Sequence, residues 1–291
     1  MQSEALMSDT PWQASAELAP ARSTRRWRLS NPFGTAPLQV LMSWAVPIAL
    51  ILFWQISSMS GLVAESVLPS PLQVAKAGWK IARSGELLEN IEVSFLRAMA
   101  GLIVGGGIGF ALGLANGVSK LSDTLTDSTL QMVRNIPHLS LIPLVILWFG
   151  IDEGAKLFLV ALGVFFPIYL NTLHGIKSID PQLLEMGKSY GMTKFMLFRS
   201  IIFPGALPSI LVGLRFALGV MWLTLIVAET IAAQSGIGYM AMQAREFLQV
   251  DIVIFAVLIY ALLGKLADTV ARLIEKRCLR WHPSFQGEAH K

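Results

Sequence analysis

The sequence predicts an all-α polytopic membrane protein, and three observations carry that prediction. Hydrophobic residues make up 54% of the 291 and charged residues only 14%, against about 25% charged in a soluble domain. Apolar runs of about 20 residues, enough to cross a bilayer core of about 30 Å, recur through the chain. The mean hydropathy is +0.59, and no apolar-poor stretch is long enough to fold as a soluble domain.

In chain order, residues 1–37 are polar and broken by Pro11, Pro20, Pro32 and Pro37. They lack the apolar centre of a signal peptide and read as a disordered cytosolic tail. Six spans follow, at roughly 38–58, 95–117, 128–149, 156–176, 208–231 and 252–273. Between the first two, Pro69 and Pro71 mark a turn, and Val74, Ala77, Trp79 and Ile81 alternate with Lys76, Lys80 and Arg83. That pattern suits a helix lying on the outer surface, with an ordinary extracellular loop as the alternative. The second span carries Gly101, Gly105, Gly109, Gly113 and Gly117, a stripe along one helix face. Such a stripe lets another backbone approach closely, either as static packing within the subunit or as a sliding surface. The domain reading is a tail (1–37), a first span with its external amphipathic segment (38–85), a five-span body (86–276) and a C-terminal cytosolic tail (277–291).

Orientation follows from the basic residues. With both termini in the cytosol, the inner segments hold fourteen (Arg22, Arg25, Arg26, Arg28, Lys120, Lys177, Lys188, Lys194, Arg199, Arg272, Lys276, Arg277, Arg280, Lys291). The outer segments hold five (Lys76, Lys80, Arg83, Lys156, Arg245). The excess belongs inside. The net charge of +4 therefore reads as a topology signal, not as a nucleic-acid-binding surface.

Charges within spans are costly in lipid and face protein or a water-filled path. Here they are Arg97, Arg134, Arg215, Glu229, Lys265 and Asp268. Arg134, Asn135 and His138 cluster where Pro137 and Pro143 can open the helix and expose backbone groups, and Arg134 is expected near the inner mouth. Arg134, Asn135, His138, Arg215 and Glu229 are the candidates for lining a translocation path, with internal ion pairs or snorkelling as the alternative.

The most informative stretch is a polar island between two spans, residues 183–209. Asp180 can cap a short helix that has Pro181 in its first turn. Gly191 stands where a left-handed cap belongs. Thr193 can cap a second helix from about Lys194, ended by Pro204 and Gly205. Leu183, Leu184, Phe195, Phe198, Ile201 and Ile202 would rest on the membrane body. This is a candidate docking knob on the cytosolic side.

The island resembles the coupling loop of ABC importer membrane subunits, with its pattern Glu-Ala-Ala, three residues, Gly, nine residues, Ile-x-Leu-Pro. Glu185, Met186 and Gly187 fill the first three places, Gly191 follows, and Ile201, Ile202, Phe203 and Pro204 close it. Met186 and Gly187 replace the alanines and Phe203 the leucine. The resemblance extends over about residues 86–276 to type I importer permeases with the MetI-like fold. RNIPHLSLIPLVILWFGIDEGAK, GVMWLTLIVAETI and SGIGYMAMQAREFLQVD are similar to the permeases for aliphatic sulfonates, a group with taurine and nitrate relatives. The resemblance implies a bacterial inner-membrane location and a second permease copy as homodimer partner. It also implies two ATP-binding subunits carrying ATP and Mg, and a periplasmic solute-binding protein. It assigns the ATPase-coupling role to Glu185, Met186, Gly187, Gly191, Ile201 and Pro204, and places a binding-protein contact or gate around Ser235, Gly236 and Gly238.

No enzyme constellation stands beside this. The chain has no GxxxxGK[ST] for nucleotide phosphates and no HExxH. His138, His174, His282 and His290 have no metal-ligand spacing, and the single Cys278 forms no internal disulfide. The rival classes are a gradient-driven transporter using the intramembrane charges and a non-transporting scaffold. Neither accounts for the knob.

Overall fold

The computed structural model describes residues 36–61 and 64–281, with side chains described from Trp44 onward. The expected tail 1–37 lies almost wholly outside these, as do residues 282–291 of the expected C-terminal tail. Among the described residues every regular element is helical. They are α1 (Ala36–Met59), α2 (Pro71–Ser84), α3 (Glu86–Gly101), α4 (Gly107–Val118), α5 (Lys120–Arg134), α6 (Ile142–Phe149), α7 (Glu153–Lys177), α8 (Pro181–Ser189), α9 (Lys194–Leu197), α10 (Phe203–Ala232), α11 (Ile237–Glu246) and α12 (Val250–Cys278).

Two compact units are distinguished, Met1–Ile51 and Leu52–Lys291. In the first, the described side chains of α1 are apolar and exposed, Trp44, Val46, Ile48 and Leu50 among them. The second holds everything that follows.

The stretch after α1 is a helix. Ser70 caps α2 through a reciprocal capping box with Gln73, and Gly85, at φ 84°, ends it in the left-handed conformation. Val74, Gly78 and Ile81 form its buried face. A Cβ on Gly78 would lie 2.2 Å from the Phe255 ring of α12, so the glycine permits that contact. Lys76 and Lys80 remain exposed on the other face.

The second span begins earlier than its hydropathy suggests. Helix runs from Glu86 to Val118, 33 residues, with one π-helical turn at Leu102–Gly106 joining α3 to α4. The glycine stripe is packing against α7. Added Cβ atoms would lie 2.0 Å from the Ala161 carbonyl oxygen at Gly105, 2.6 Å from that of Phe165 at Gly109 and 2.7 Å from that of Tyr169 at Gly113. Those are backbone atoms, so the fit cannot be relieved by rotating a side chain. Helix α7 repeats the device on its other flank, where Gly163 faces Thr224 and Gly213 of α10 faces the Pro167 carbonyl. It is the buried centre of the fold. Val160, Val164 and Ile168 meet Met221 and Leu225 of α10, and the same core takes in Ile237 and Met240 of α11 and Tyr260 of α12.

The third span departs from expectation. In place of one helix over 128–149, α5 and the helical segment from His138 to Phe149 meet at an angle of 81°. Pro137 has no N–H to continue the ladder and disfavours helical geometry in Ile136 before it. Helix α5 begins at Lys120 and has no buried residue. Near that end Asn116 holds it, donating to Thr126 Oγ1 at 2.7 Å and Tyr169 Oη at 2.9 Å, while Ser122 donates back to Asn116 Oδ1. Among the described residues four helices are long and apolar enough to cross a membrane, or five counting the bent pair. The part of α1 whose side chains are described, Trp44–Met59, is apolar but shorter.

Candidate functional site

The knob is α8 and α9. Asp180 accepts from the Gln182 N–H and caps α8. Gly191 is left-handed at φ 76°, and Thr193 accepts from the Met196 N–H to cap α9. One expectation fails: Pro204 and Gly205 do not end the second helix. Helix runs on from Lys194 to Ile231 without a break. The reason is a π-helical turn at Phe198–Ile202, closed by Phe203 N–H donating to Phe198 O five residues back. A wide turn just before Pro204 relieves the clash its ring would make with the preceding turn. The knob and the fifth span are therefore one lever.

The knob's faces also differ from expectation. Leu184, Phe198, Ile201 and Ile202 are partly buried, but Leu183 is 46% exposed and Phe195 70%. With Met186, Tyr190 and Met196, also exposed, they leave an apolar surface uncovered on α8 and α9. Gly187 is the buried member of α8. A Cβ there would lie 2.7 Å from Leu197 Cδ1 and 3.0 Å from Ile201 Cδ1. Glycine in the family's second alanine place thus brings α8 close onto α9, a packing role the sequence reading did not give it. Glu185 is exposed and forms no side-chain ion pair among the described residues.

The candidate path residues separate. Arg134 ends α5, fourteen residues beyond Lys120, which is about 21 Å along the axis. It therefore lies at the far end of α5 from Lys120, at the bend before His138. Arg134 and Asn135 are exposed at the break, while His138 reaches Thr224 of α10 at 3.3 Å. Arg215 is paired with Asp268 of α12 at 2.7 Å, and Asp268 also binds Arg272. Two cations share one carboxylate on a partly exposed face.

Glu229 is a correction. It is 1% exposed and lines no path within this subunit. Four donors hold it: Ser94 Oγ at 2.8 Å, Arg97 Nη1 at 2.8 Å, the Gly238 N–H at 2.9 Å and Tyr260 Oη at 2.8 Å. Burial of a carboxylate is tolerable only with such satisfaction. The N–H groups of Gly236, Ile237 and Gly238, at the start of α11, go to Asn90 Oδ1, Ser94 Oγ and Glu229 respectively. The start of α11 is thus capped by side chains of α3 and α10. A Cβ at Gly236, φ 107°, would lie 2.5 Å from Glu229 Oε1 and 2.7 Å from Arg97 Nη1, so the knot needs glycine there. Arg97 continues the network to Glu153 at the start of α7, which Lys156 also binds at 2.8 Å. Sequence reading marked Arg97 as a costly charge but missed Glu153 and Lys156 as its company. The only local signal was an arginine near the start of the apolar run over 95–117.

Among the described residues no group of three or more His, Cys, Asp or Glu side chains could hold a metal ion.

Comparison with known proteins shows the family. Residues 105–280 match the family described as binding-protein-dependent transport system inner membrane component. The chain is 57% identical over 242 residues to the putative aliphatic sulfonates transport permease protein SsuC of Escherichia coli, covering 83% of this chain and 92% of that one. It is 41% identical to the protein of the same description from Bacillus subtilis, covering 83% and 88%. Against the taurine transport system permease protein TauC of E. coli it is 33% identical, covering 90% and 94%. A crystal structure of an amino acid ABC transporter superposes with a TM-score of 0.56 at 19% identity, covering 68% of this chain and 96% of that one, and shares the fold. The chain is a multi-pass transport subunit and belongs to the family of inner-membrane components of binding-protein-dependent transport systems.

Proposed function

We propose that this chain is the permease subunit of an ATP-driven importer for aliphatic sulfonates in a bacterial inner membrane. Identity of 57% over 83% of the chain to a protein described as an aliphatic sulfonates permease is the observation that carries the substrate. Two copies enclose the path, two ATP-binding subunits sit on the cytosolic side with ATP and Mg, and a solute-binding protein delivers substrate outside. The exposed apolar face of α8 and α9 supports the coupling role, because a cluster of exposed apolar side chains on an ordered surface marks a place where a partner docks. In that role Glu185 and Met186 contact the ATPase, Gly187 and Gly191 set the knob's shape, and Ile201 and Pro204 join it to α10. Closure of the ATPases on ATP draws the two knobs together, and the continuous helix from Lys194 swings the far end of α10. The driving free energy is the difference in nucleotide affinity between the two states of the partner, not anything this chain binds.

The test is uptake of labelled ethanesulfonate in cells lacking the gene and in complemented cells, with taurine, sulfate and nitrate as competitors. Restored uptake that ATP depletion blocks and alkanesulfonates compete is the expected result. Uptake that survives ATP depletion would replace the importer by a gradient-driven carrier. Competition by taurine alone would move the substrate to that sulfonate, a second reading favoured by the 33% identity to a taurine permease.

A further inference from the structure

At the end of the molecule remote from the knob, four charged side chains form a neutral group with an uneven surface. Arg97 is 8% exposed, Lys156 3% and Glu229 1%. Glu153 is 65% exposed. It holds the two buried cations with both oxygens: Oε2 accepts from Arg97 Nε at 2.6 Å, and Oε1 accepts from Arg97 Nη2 at 2.7 Å and from Lys156 Nζ at 2.8 Å. Arg97 Nη2 also donates to Ser235 Oγ at 3.0 Å, which leaves that hydroxyl proton free to donate. Arg97 Nη1 is separately engaged by Glu229 and by the Ser235 carbonyl, so the guanidinium stays anchored whatever happens at its other edge.

Removing Glu153 from this group would leave a net charge of +1, with Lys156 buried and without any other hydrogen-bond partner among the described residues. Buried cations in that state demand an anion. The vacancy would be a guanidinium edge, an ammonium and a hydroxyl converging on one place, a donor set that suits an oxyanion. Glu153 is the first residue of α7, and its side chain, 65% exposed, faces solvent. The basic-residue distribution places this end outside the membrane, where substrate arrives.

We propose that Arg97, Lys156 and Ser235 form an anion subsite, occupied in this structure by the Glu153 carboxylate, that accepts the sulfonate group of the arriving substrate by exchange. Two of the three oxygens of a sulfonate can take the same two-pronged edge of Arg97 as a carboxylate. The exchange conserves charge, one monoanion for another, which selects against neutral analogues and against dianions. The identity of the ligand rests on the substrate reading above; the existence of an anion subsite does not.

The test uses the full transporter, purified in detergent, and follows its thermal unfolding with added ethanesulfonate, with ethyl methyl sulfone as the uncharged control and sodium chloride as the ionic-strength control. Glu153→Gln removes the resident anion. It should show a midpoint that rises by several degrees with ethanesulfonate and not with either control, at concentrations at least tenfold below those needed by the unmodified protein. Adding Lys156→Met to Glu153→Gln should abolish that response. Glu153→Asp, which keeps the charge but withdraws it by one methylene, should fall between. No anion-specific rise in Glu153→Gln, or an equal rise after Lys156→Met, overturns the subsite. Ethanesulfonate uptake by the unmodified transporter separates the two readings. Normal uptake with no response in Glu153→Gln removes the subsite alone. Absent uptake, with Glu153→Gln responding to nitrate but not to ethanesulfonate, keeps the subsite and removes the sulfonate.

Discussion

The two ends of the lever that contains α10 handle their side chains in opposite ways. At one end Glu229 is 1% exposed and receives hydrogen bonds from Ser94, Arg97, Gly238 and Tyr260. At the other end Leu183, Phe195 and Tyr190 are 46%, 70% and 81% exposed, and Glu185 has no ion-pair partner among the described residues. The first region satisfies its polar groups within the subunit, so its changes should register as stability. The second leaves apolar surface and a charge unmatched, so its changes should register as transport in a protein that still folds. The same helix joins both, which is how a movement at the knob can reach the far end.

Four substitutions test that contrast. Arg97→Met should have the largest effect, because it leaves Glu229 charged and buried with one donor fewer. Breaking a buried pair this way costs about 3–5 kcal/mol. The expected result is a sharp fall in the amount of protein recovered from membranes and in its unfolding midpoint; an unchanged midpoint would mean the network is not structural. Gly105→Val comes next. Its Cβ would lie 2.0 Å from a backbone oxygen of α7, and overpacking of this kind costs about 1–3 kcal/mol or more. Unfolding in detergent measures it, and a neutral result would show that the π-helical turn before α4 and helix α7 can separate freely.

Phe195→Ser should leave the free energy of unfolding within about 0.5 kcal/mol of the unmodified protein, as for an exposed position, yet reduce ATP-driven uptake at least tenfold. Uptake at the original rate would remove the apolar face from the coupling surface. Gly187→Ala should be the smallest change. Alanine favours helix by about 1 kcal/mol, which offsets the shift demanded of the Leu197 and Ile201 side-chain tips. Transport and stability should both stay close to normal, and a marked loss in either would mean that the α8–α9 contact admits no added methyl group.

The knob was legible in the sequence because its signals are local. Asp180, Gly191 and Thr193 each act on backbone groups within a few residues of themselves, and capping depends on little else. Its exposed face was misassigned at Leu183 and Phe195 because apolarity alone does not say whether a residue faces its own subunit or awaits a partner. The continuation through Pro204 was also hidden, since a π-helical turn has no sequence signature as strong as the proline it accommodates. The break at Pro137 was foreseen as a weakness in a helix, but the apolar run after it concealed how far the chain turns.

The sequence by itself determined that the chain is helical and membrane-spanning, where its glycine stripe lies and where the two helices of its knob begin. All of these follow from hydropathy, periodicity and contacts within a turn or two. Only the tertiary structure decided that Arg97, Glu153, Lys156 and Glu229 form one neutral group and that three N–H groups of α11 depend on side chains from two other helices. Arg97 and Glu229 are separated by 132 residues. A charge in a membrane helix announces that it must have a partner, but the partner's identity is fixed by which helices pack side by side.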